Sequence, residues 1–240
     1  LDVNKLIELL GDLGVKIQKL GKGSYSFQAD EVNMDYLSSE EFAKQSQRLR
    51  GSILILGPLL ARFGYGGVPK PGGDKIGRRR LDTHFDGFVK LGATFTYSHE
   101  NHYYTVTAPQ GLKGAYILLD EASVTGTANI LMAASLAEGT TTIYNAACEP
   151  YLQQVCRMLQ QMGAQIEGIG SNLLTIRGVK KLGGCTHRIL PDMIEICSWI
   201  GMAAMTQSEL TIKEVGWEHL GLIPTIFERL GITLERRGDD

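Results

Sequence analysis

Between Arg62 and Arg80 the sequence places six positive charges (Arg62, Lys70, Lys75, Arg78, Arg79 and Arg80) against a single negative one, Asp74. Inside that stretch runs Pro71-Gly72-Gly73-Asp74-Lys75-Ile76-Gly77-Arg78-Arg79-Arg80-Leu81-Asp82. Glycines let a backbone turn sharply and come close to a ligand, and guanidinium forks suit phosphate or carboxylate. A solvated surface loop has the same composition. On composition alone the stretch is an anion-site candidate, with the loop reading still open. The remaining reactive side chains read as structural. The histidines and the four cysteines show no metal-ligand spacing, so no metal is expected. Cys148, Cys156 and Cys197 read as small core residues, and Met132, Met158, Met202 and Met205 as core fillers. His84 either touches a ligand or bridges loop and helix. Ser123 reads first as a helix N-cap, and Glu149-Pro150 as a helix start.

The elements that must carry these residues emerge from a repeat. Four times a helical segment runs into a hydrophobic-Gly pair and a short alternating strand: Leu13-Gly14, Leu91-Gly92, Met162-Gly163 and Leu230-Gly231. Glycine there suits the residue just past a helix, where left-handed backbone angles are needed. The best-preserved unit spans about Leu112 to Gly178. It predicts a strand at Ala115–Leu119, a helix from Ser123 to about Glu138, and a strand at Thr140–Tyr144. A second helix then starts at Glu149-Pro150, with Leu152, Val155, Cys156 and Leu159 on one face, before strands at Gln165–Ile169 and Asn172–Ile176. The order is β-α-β-α-β-β. It recurs from His187, with a helix opening at Asp192, a strand at Glu209–Glu214 and a second helix before Gly231. The amino-terminal repeat lacks its first half and the last one stops early, which reads as a piece of a longer protein. Ile130–Ala134 and Trp199–Met205 have almost no polar face, and a helix apolar all round is a buried one. Helices inside and sheets outside are the expectation.

Composition sets the outer bounds. A chain of 240 residues, 43% hydrophobic with a net charge of −2, is neither disordered nor a globally basic nucleic-acid binder. Its longest apolar run, Ile53–Ala61, contains Gly57 and Pro58 and is too short to span a bilayer. No signal-peptide pattern or disulfide framework is visible, so a reduced, cytoplasmic location is expected. Glycine stands out at 29 residues, against the roughly 17 that average usage would give.

Several motifs together resemble the UDP-N-acetylglucosamine enolpyruvyl transferases. They include Arg50-Gly51-Ser52-Ile53-Leu54 with Gly57-Pro58, the Gly72-Gly73-Asp74-Lys75-Ile76-Gly77 loop, and Asp82-Thr83-His84. Leu112-Lys113-Gly114-Ala115, Ala137-Glu138-Gly139-Thr140-Thr141, Asn145-Ala146-Ala147-Cys148-Glu149-Pro150 and Leu190-Pro191-Asp192 follow in the same order. The resemblance implies a mixed α/β (α+β) fold: an incomplete inside-out barrel of β-α-β-α-β-β units. Residues 1–189 would then be most of one domain, its first repeat truncated, and 190–240 the first repeat of the second.

It also implies transfer of the enolpyruvyl group of phosphoenolpyruvate to the 3-hydroxyl of UDP-N-acetylglucosamine, with release of phosphate, as the first committed step of peptidoglycan synthesis. That chemistry needs an acid for the enolpyruvyl methylene and cations around phosphate and carboxylate. The acid position, commonly cysteine in the family, is Asp74 here. Fosfomycin alkylates that cysteine, so the resemblance implies resistance. Arg79 matches the loop arginine near the substrates and Arg50 an arginine that contacts the sugar nucleotide. Arg79, Arg80, Leu81, Asp82 and Thr83 match the stretch holding the uracil, with Arg80 where proline is frequent. Glu121, Ala122, Ser123 and Val124 match the helix start that receives the diphosphate, with Glu121 in place of a lysine. No cofactor, metal, nucleic acid or membrane is implied, and self-association through the last repeat is a further expectation. With one cleft wall only, the 240-residue chain is expected to be inactive by itself. The related transferase acting on shikimate 3-phosphate and a non-catalytic UDP-sugar-binding homologue are the alternatives. An RNA-end-processing enzyme built from similar repeats is a third, set against the lack of a basic surface.

Overall fold

The structure is a computed structural model and describes residues 2–73, 77 and 79–240. The chain forms two compact units, residues 1–185 and 186–240.

In the first unit the elements are α1 (Asp2–Asp12), β1 (Lys16–Gly21), β2 (Ser24–Gln28), α2 (Glu40–Gln47), α3 (Leu56–Phe63), β3 (Tyr65–Pro69), α4 (Asp82–Lys90), β4 (Thr94–Ser98) and β5 (Tyr103–Thr107). They continue with β6 (Tyr116–Leu118), α5 (Val124–Ala134), β7 (Thr140–Tyr144), α6 (Pro150–Gln161), β8 (Gln165–Glu167) and β9 (Leu173–Arg177). The repeat expected from the sequence is present. Each of α1, α4 and α6 runs into its glycine and then a strand, and Gly14, Gly92 and Gly163 have φ of +101°, +94° and +105°. An L side chain resists that conformation and glycine does not.

The sheets share one plan. Strand order is β3-β5-β4 in one and β6-β7-β9-β8 in the next, so the last strand of each repeat sits centrally and bonds both neighbours antiparallel. Alternation turns one face inward: Ile117, Ile143 and Leu174 lie in register across three strands and all are buried. The helices fill the interior against these faces. From Gly126 to Leu131 every residue of α5 is buried, as are Ala133 and Ala134. Close approach is made possible by missing side chains. A Cβ on Gly57 of α3 would lie 2.4 Å from the Asn129 carbonyl oxygen of α5, and one on Gly87 of α4 would lie 2.2 Å from Ile130 Cδ1. Leu152, Cys156 and Leu159 of α6 are buried and Val155 is half-buried, as its helical spacing predicts.

The second unit contains α7 (Met193–Thr206) and α8 (Ile223–Arg229). Asp192 caps α7 by accepting from the amides of Ile194 (2.9 Å) and Glu195 (3.2 Å). Its core is small: Ile196, Val215 and Leu220. Several sequence expectations need correcting here or nearby, first among them the burial of Trp199–Met205, since α7 buries only Ile196. Glu209–Glu214 is irregular rather than a strand, because no neighbouring strand offers it a ladder. Met202 and Met205 are 43% and 87% exposed, and Met158 on α6 is 37% exposed, so they fill no core. Cys148 is exposed, since it lies in the loop before α6 rather than on its inward face. Among the described residues no helix is long and apolar enough to cross a membrane.

Candidate active site

The glycine loop starts under tight constraint. A Cβ on Gly72 would stand 1.5 Å from the Gln47 carbonyl oxygen at the end of α2, and Gly73 has φ of +99° with Arg50 Cβ 3.0 Å from where its own would be. The Gly-Gly pair thus brings the loop backbone against the segment that carries Arg50. Asp74, the expected acid, lies outside the described residues.

Beyond the loop, the arginine stretch is held from below. Arg50 opens the 3-10 turn Arg50–Ile55, and its Nη2 donates to the carbonyls of Arg79 (2.9 Å) and Arg80 (3.2 Å). Burial, and after it the Arg79 guanidinium, hold Arg50 below the usual arginine range. Two guanidiniums kept near one another favour an anion beside them. Arg80 points to carboxylates instead: its Nε donates to Asp82 Oδ2 at 2.6 Å and its Nη2 lies 3.5 Å from Asp120 Oδ2. The Asp82 bond and charge hold Arg80 above its ordinary range. Arg80 thus bridges the start of α4 to the loop before α5.

Leu81 and Thr83 are 8% and 3% exposed, and the flanking Asp82 is exposed. The single proton of the Thr83 hydroxyl is shared between Asp120 Oδ1 (3.3 Å) and Glu121 Oε1 (3.4 Å). Ala122 is exposed and Val124 half-buried. Ser123 is the N-cap of α5, accepting from the Gly126 amide at 3.2 Å. Arg50, Arg79, Arg80, Asp82, Thr83 and Glu121 are thus brought to one neighbourhood beside the first turn of α5. Asp120 belongs to the same cluster; its place directly before Glu121, in the loop between β6 and α5, is the signal for it in the sequence. A cleft of about 490 Å³ opens beside the stretch, lined by Lys70, Arg79, Arg80, Asp82, Phe85 and Tyr104 among others. Phe85 stacks there on Phe95 (4.3 Å between centroids) and Tyr104 (5.0 Å). Among the described residues no group of histidine, cysteine and carboxylate side chains could hold a metal ion.

His84 takes the structural role of the two open to it. It is 1% exposed, and its ring bonds Asn129 and Thr125 of α5 rather than facing the cleft. Burial, and then the Arg50 charge, lower its pKa to about 4.

Comparison with known proteins gives this neighbourhood a context. UDP-N-acetylglucosamine 1-carboxyvinyltransferase of Bacteroides thetaiotaomicron is 63% identical over 240 residues, covering all of this chain and 55% of that protein. The enzyme of the same name from Treponema denticola is 47% identical over 231 residues, 96% of this chain and 52% of that protein. The chain thus spans about half the length of the curated relatives it matches. Among solved structures, the enolpyruvyl transferase NikO from Streptomyces tendae matches with a TM-score of 0.78 at 19% identity, over 100% of this chain and 56% of that one. An EPSP synthase from Acinetobacter baumannii matches with a TM-score of 0.60 at 23% identity, over 84% of this chain and 45% of that one. At such identities the structural likeness establishes the fold, that of the enolpyruvyl transferases. A model of the family described as EPSP synthase (3-phosphoshikimate 1-carboxyvinyltransferase) matches residues 1–240, and the chain belongs to that family.

Proposed function

We propose that the protein transfers the enolpyruvyl group of phosphoenolpyruvate to the 3-hydroxyl of UDP-N-acetylglucosamine, releasing phosphate. The observation that carries this choice within the family is the 63% identity, over every residue of this chain, to relatives named for that reaction. The identity to the EPSP synthase structure is 23%, and the shikimate reading is correspondingly weaker. A non-catalytic UDP-sugar binder is disfavoured by retention of Arg50, Asp74 and Arg79 together.

In this reading the 3-hydroxyl gives its proton to a general base as its oxygen bonds to C2 of phosphoenolpyruvate, while an acid protonates C3. Loss of a C3 proton and of phosphate then restores the double bond. Asp74 is the acid, which requires an environment that keeps its carboxyl protonated. Arg79, with Arg50 beneath it, faces the anionic groups. Arg79–Thr83 hold the uracil through backbone and the Asp82 carboxylate, and Glu121–Val124 receive the diphosphate at the start of α5, where helix amides and dipole favour an anion. Arg80, paired to Asp82 and Asp120, offsets the negative charge that Asp120 and Glu121 bring there.

The same reading assigns residues 1–189 to most of one domain and 190–240 to the first repeat of another, supported by the division into compact units after Cys185. It places the enzyme in the cytoplasm, in peptidoglycan synthesis, cell shape and division. It also gives the last repeat a role in self-association, supported by the exposure of Trp199 and Met202.

The test uses a complete protein carrying this sequence, with the 240-residue chain expected to be inactive alone. Asp74→Asn keeps the shape and removes the proton donor, so turnover should fall by roughly 10²-fold or more. Near-normal turnover would remove Asp74 from the acid role. Fosfomycin should leave the unsubstituted enzyme unmodified, because a carboxylate is a weak nucleophile toward an epoxide, and Asp74→Cys should confer time-dependent covalent inhibition.

A further inference from the structure

A chain of buried bonds behind α5 fixes the proton of one histidine. Asn129 is fully buried in the middle of α5. Its Oδ1 accepts from the Gly57 amide at 2.8 Å and its Nδ2 donates to the Ile53 carbonyl at 2.8 Å. Those two backbone partners admit one orientation of the side-chain amide; the flipped one would set N–H against N–H and oxygen against oxygen. The second hydrogen on Nδ2 therefore meets His84 Nδ1, 3.0 Å away, which must present a lone pair. The ring's proton is then on Nε2, and Nε2 faces Thr125 Oγ1 at 3.3 Å. With its oxygen accepting there, Thr125 must turn its own hydroxyl proton elsewhere.

The position of these residues gives the lock a purpose. His84 follows Thr83 directly on α4, at the end of the arginine stretch, while Thr125 is the second residue of α5 and is exposed. We propose that His84, in its Nε2-protonated form, is a positioning residue that registers the Arg79–Thr83 stretch against the first turn of α5. Through that bond Thr125 becomes a further binding residue, its hydroxyl turned outward as a donor to the diphosphate; this second step rests on the UDP-sugar reading above. The Ser123 cap takes the Gly126 amide, so the Thr125 hydroxyl joins the amides of Val124 and Thr125 at the same helix end. Asp120 and Glu121 stand nearby and oppose an anion, which makes an additional neutral donor more valuable there.

Two measurements separate the lock from the function. In the 240-residue chain, nitrogen NMR of the imidazole should show His84 protonated on Nε2 alone at neutral pH; a ring protonated on Nδ1 would overturn the lock whatever the enzyme binds. In the complete protein, Thr125→Val should raise KM for UDP-N-acetylglucosamine about 10-fold with kcat little changed, and Thr125→Ser should restore it. An unchanged KM in Thr125→Val would overturn the binding role. Absence of turnover in the unsubstituted complete protein with both substrates would instead sink the UDP-sugar reading, and with it the diphosphate donor, while the ring spectrum still decides the lock.

Discussion

Two helices of nearly the same character meet opposite fates. α5 and α7 are both predominantly apolar, yet α5 is buried from Gly126 to Leu131 whereas α7 buries only Ile196. Around α5 stand α3, α4 and α6, and a four-stranded sheet. In residues 186–240 no strand is present among the described residues. The sheets explain the difference. β9, the central strand, bonds both β7 and β8 beside α5, and residues 186–240 form no counterpart to it. Without a central strand the segments that would flank it have nothing to pair with, and the helix they should cover stays bare. Local pattern nominates an element; a neighbour is needed to form it.

The largest effect expected from this contrast is in amide exchange. Amides of β7 should exchange only on global opening, roughly 10³-fold or more slower than those of residues 209–214 in this chain. Similar protection in both regions would mean that residues 209–214 pair in solution after all. Extending the sequence to supply a central strand should bring residues 209–214 under protection.

Core truncation comes next. Leu131→Ala, at a fully buried site of α5, should lower unfolding free energy by about 2–5 kcal/mol in urea titration. Acid gives a comparable effect through His84. Its folded pKa of about 4 lies below the ordinary 6.5. The unfolded chain therefore takes up a proton that the folded one refuses, and stability falls as pH drops from about 6.5 towards 4. Full passage through that window costs on the order of 3 kcal/mol. Urea midpoints at neutral and acidic pH should show the loss, and His84→Gln should reduce the slope. Smallest is Met205→Ala, at a residue 87% exposed on α7, which should shift stability by no more than about 0.5 kcal/mol. A large loss there would show that α7 is covered in solution.

How far the sequence could be read follows the same line. Helices ending in Leu-Gly or Met-Gly were legible because the glycine requirement is local. The inward face of α6 is legible from its helical spacing, and β7 and β9 are legible as strands though not for which face turns inward. Partners distant in sequence were not. The exposure of Met202 and Met205 depends on strands that residues 186–240 do not form. The Arg80 bridge to Asp120 joins residues 40 apart, and nothing in either segment announces it. The burial of the Leu81 and Thr83 side chains is likewise set by the neighbours of α4 and not by their own motif. Asn129 carries a signal of its own: an amide in the middle of a buried helix has to satisfy something.

The helix-ending glycines carry one more consequence, which concerns handedness. At Gly14, Gly92, Gly163 and Gly231 the chain must enter a backbone region that is favourable for a mirror-image amino acid and unfavourable for the one the ribosome supplies. Glycine is the sole encoded residue without chirality, and so the repeat can vary almost every other position around those corners while that one stays fixed. A D-alanine placed at Gly163 by chemical ligation would occupy the same region without strain and would narrow the unfolded ensemble. The glycine excess of this sequence is, in part, the mark of a fold that needs right- and left-handed residues and has only one stereochemistry from which to draw.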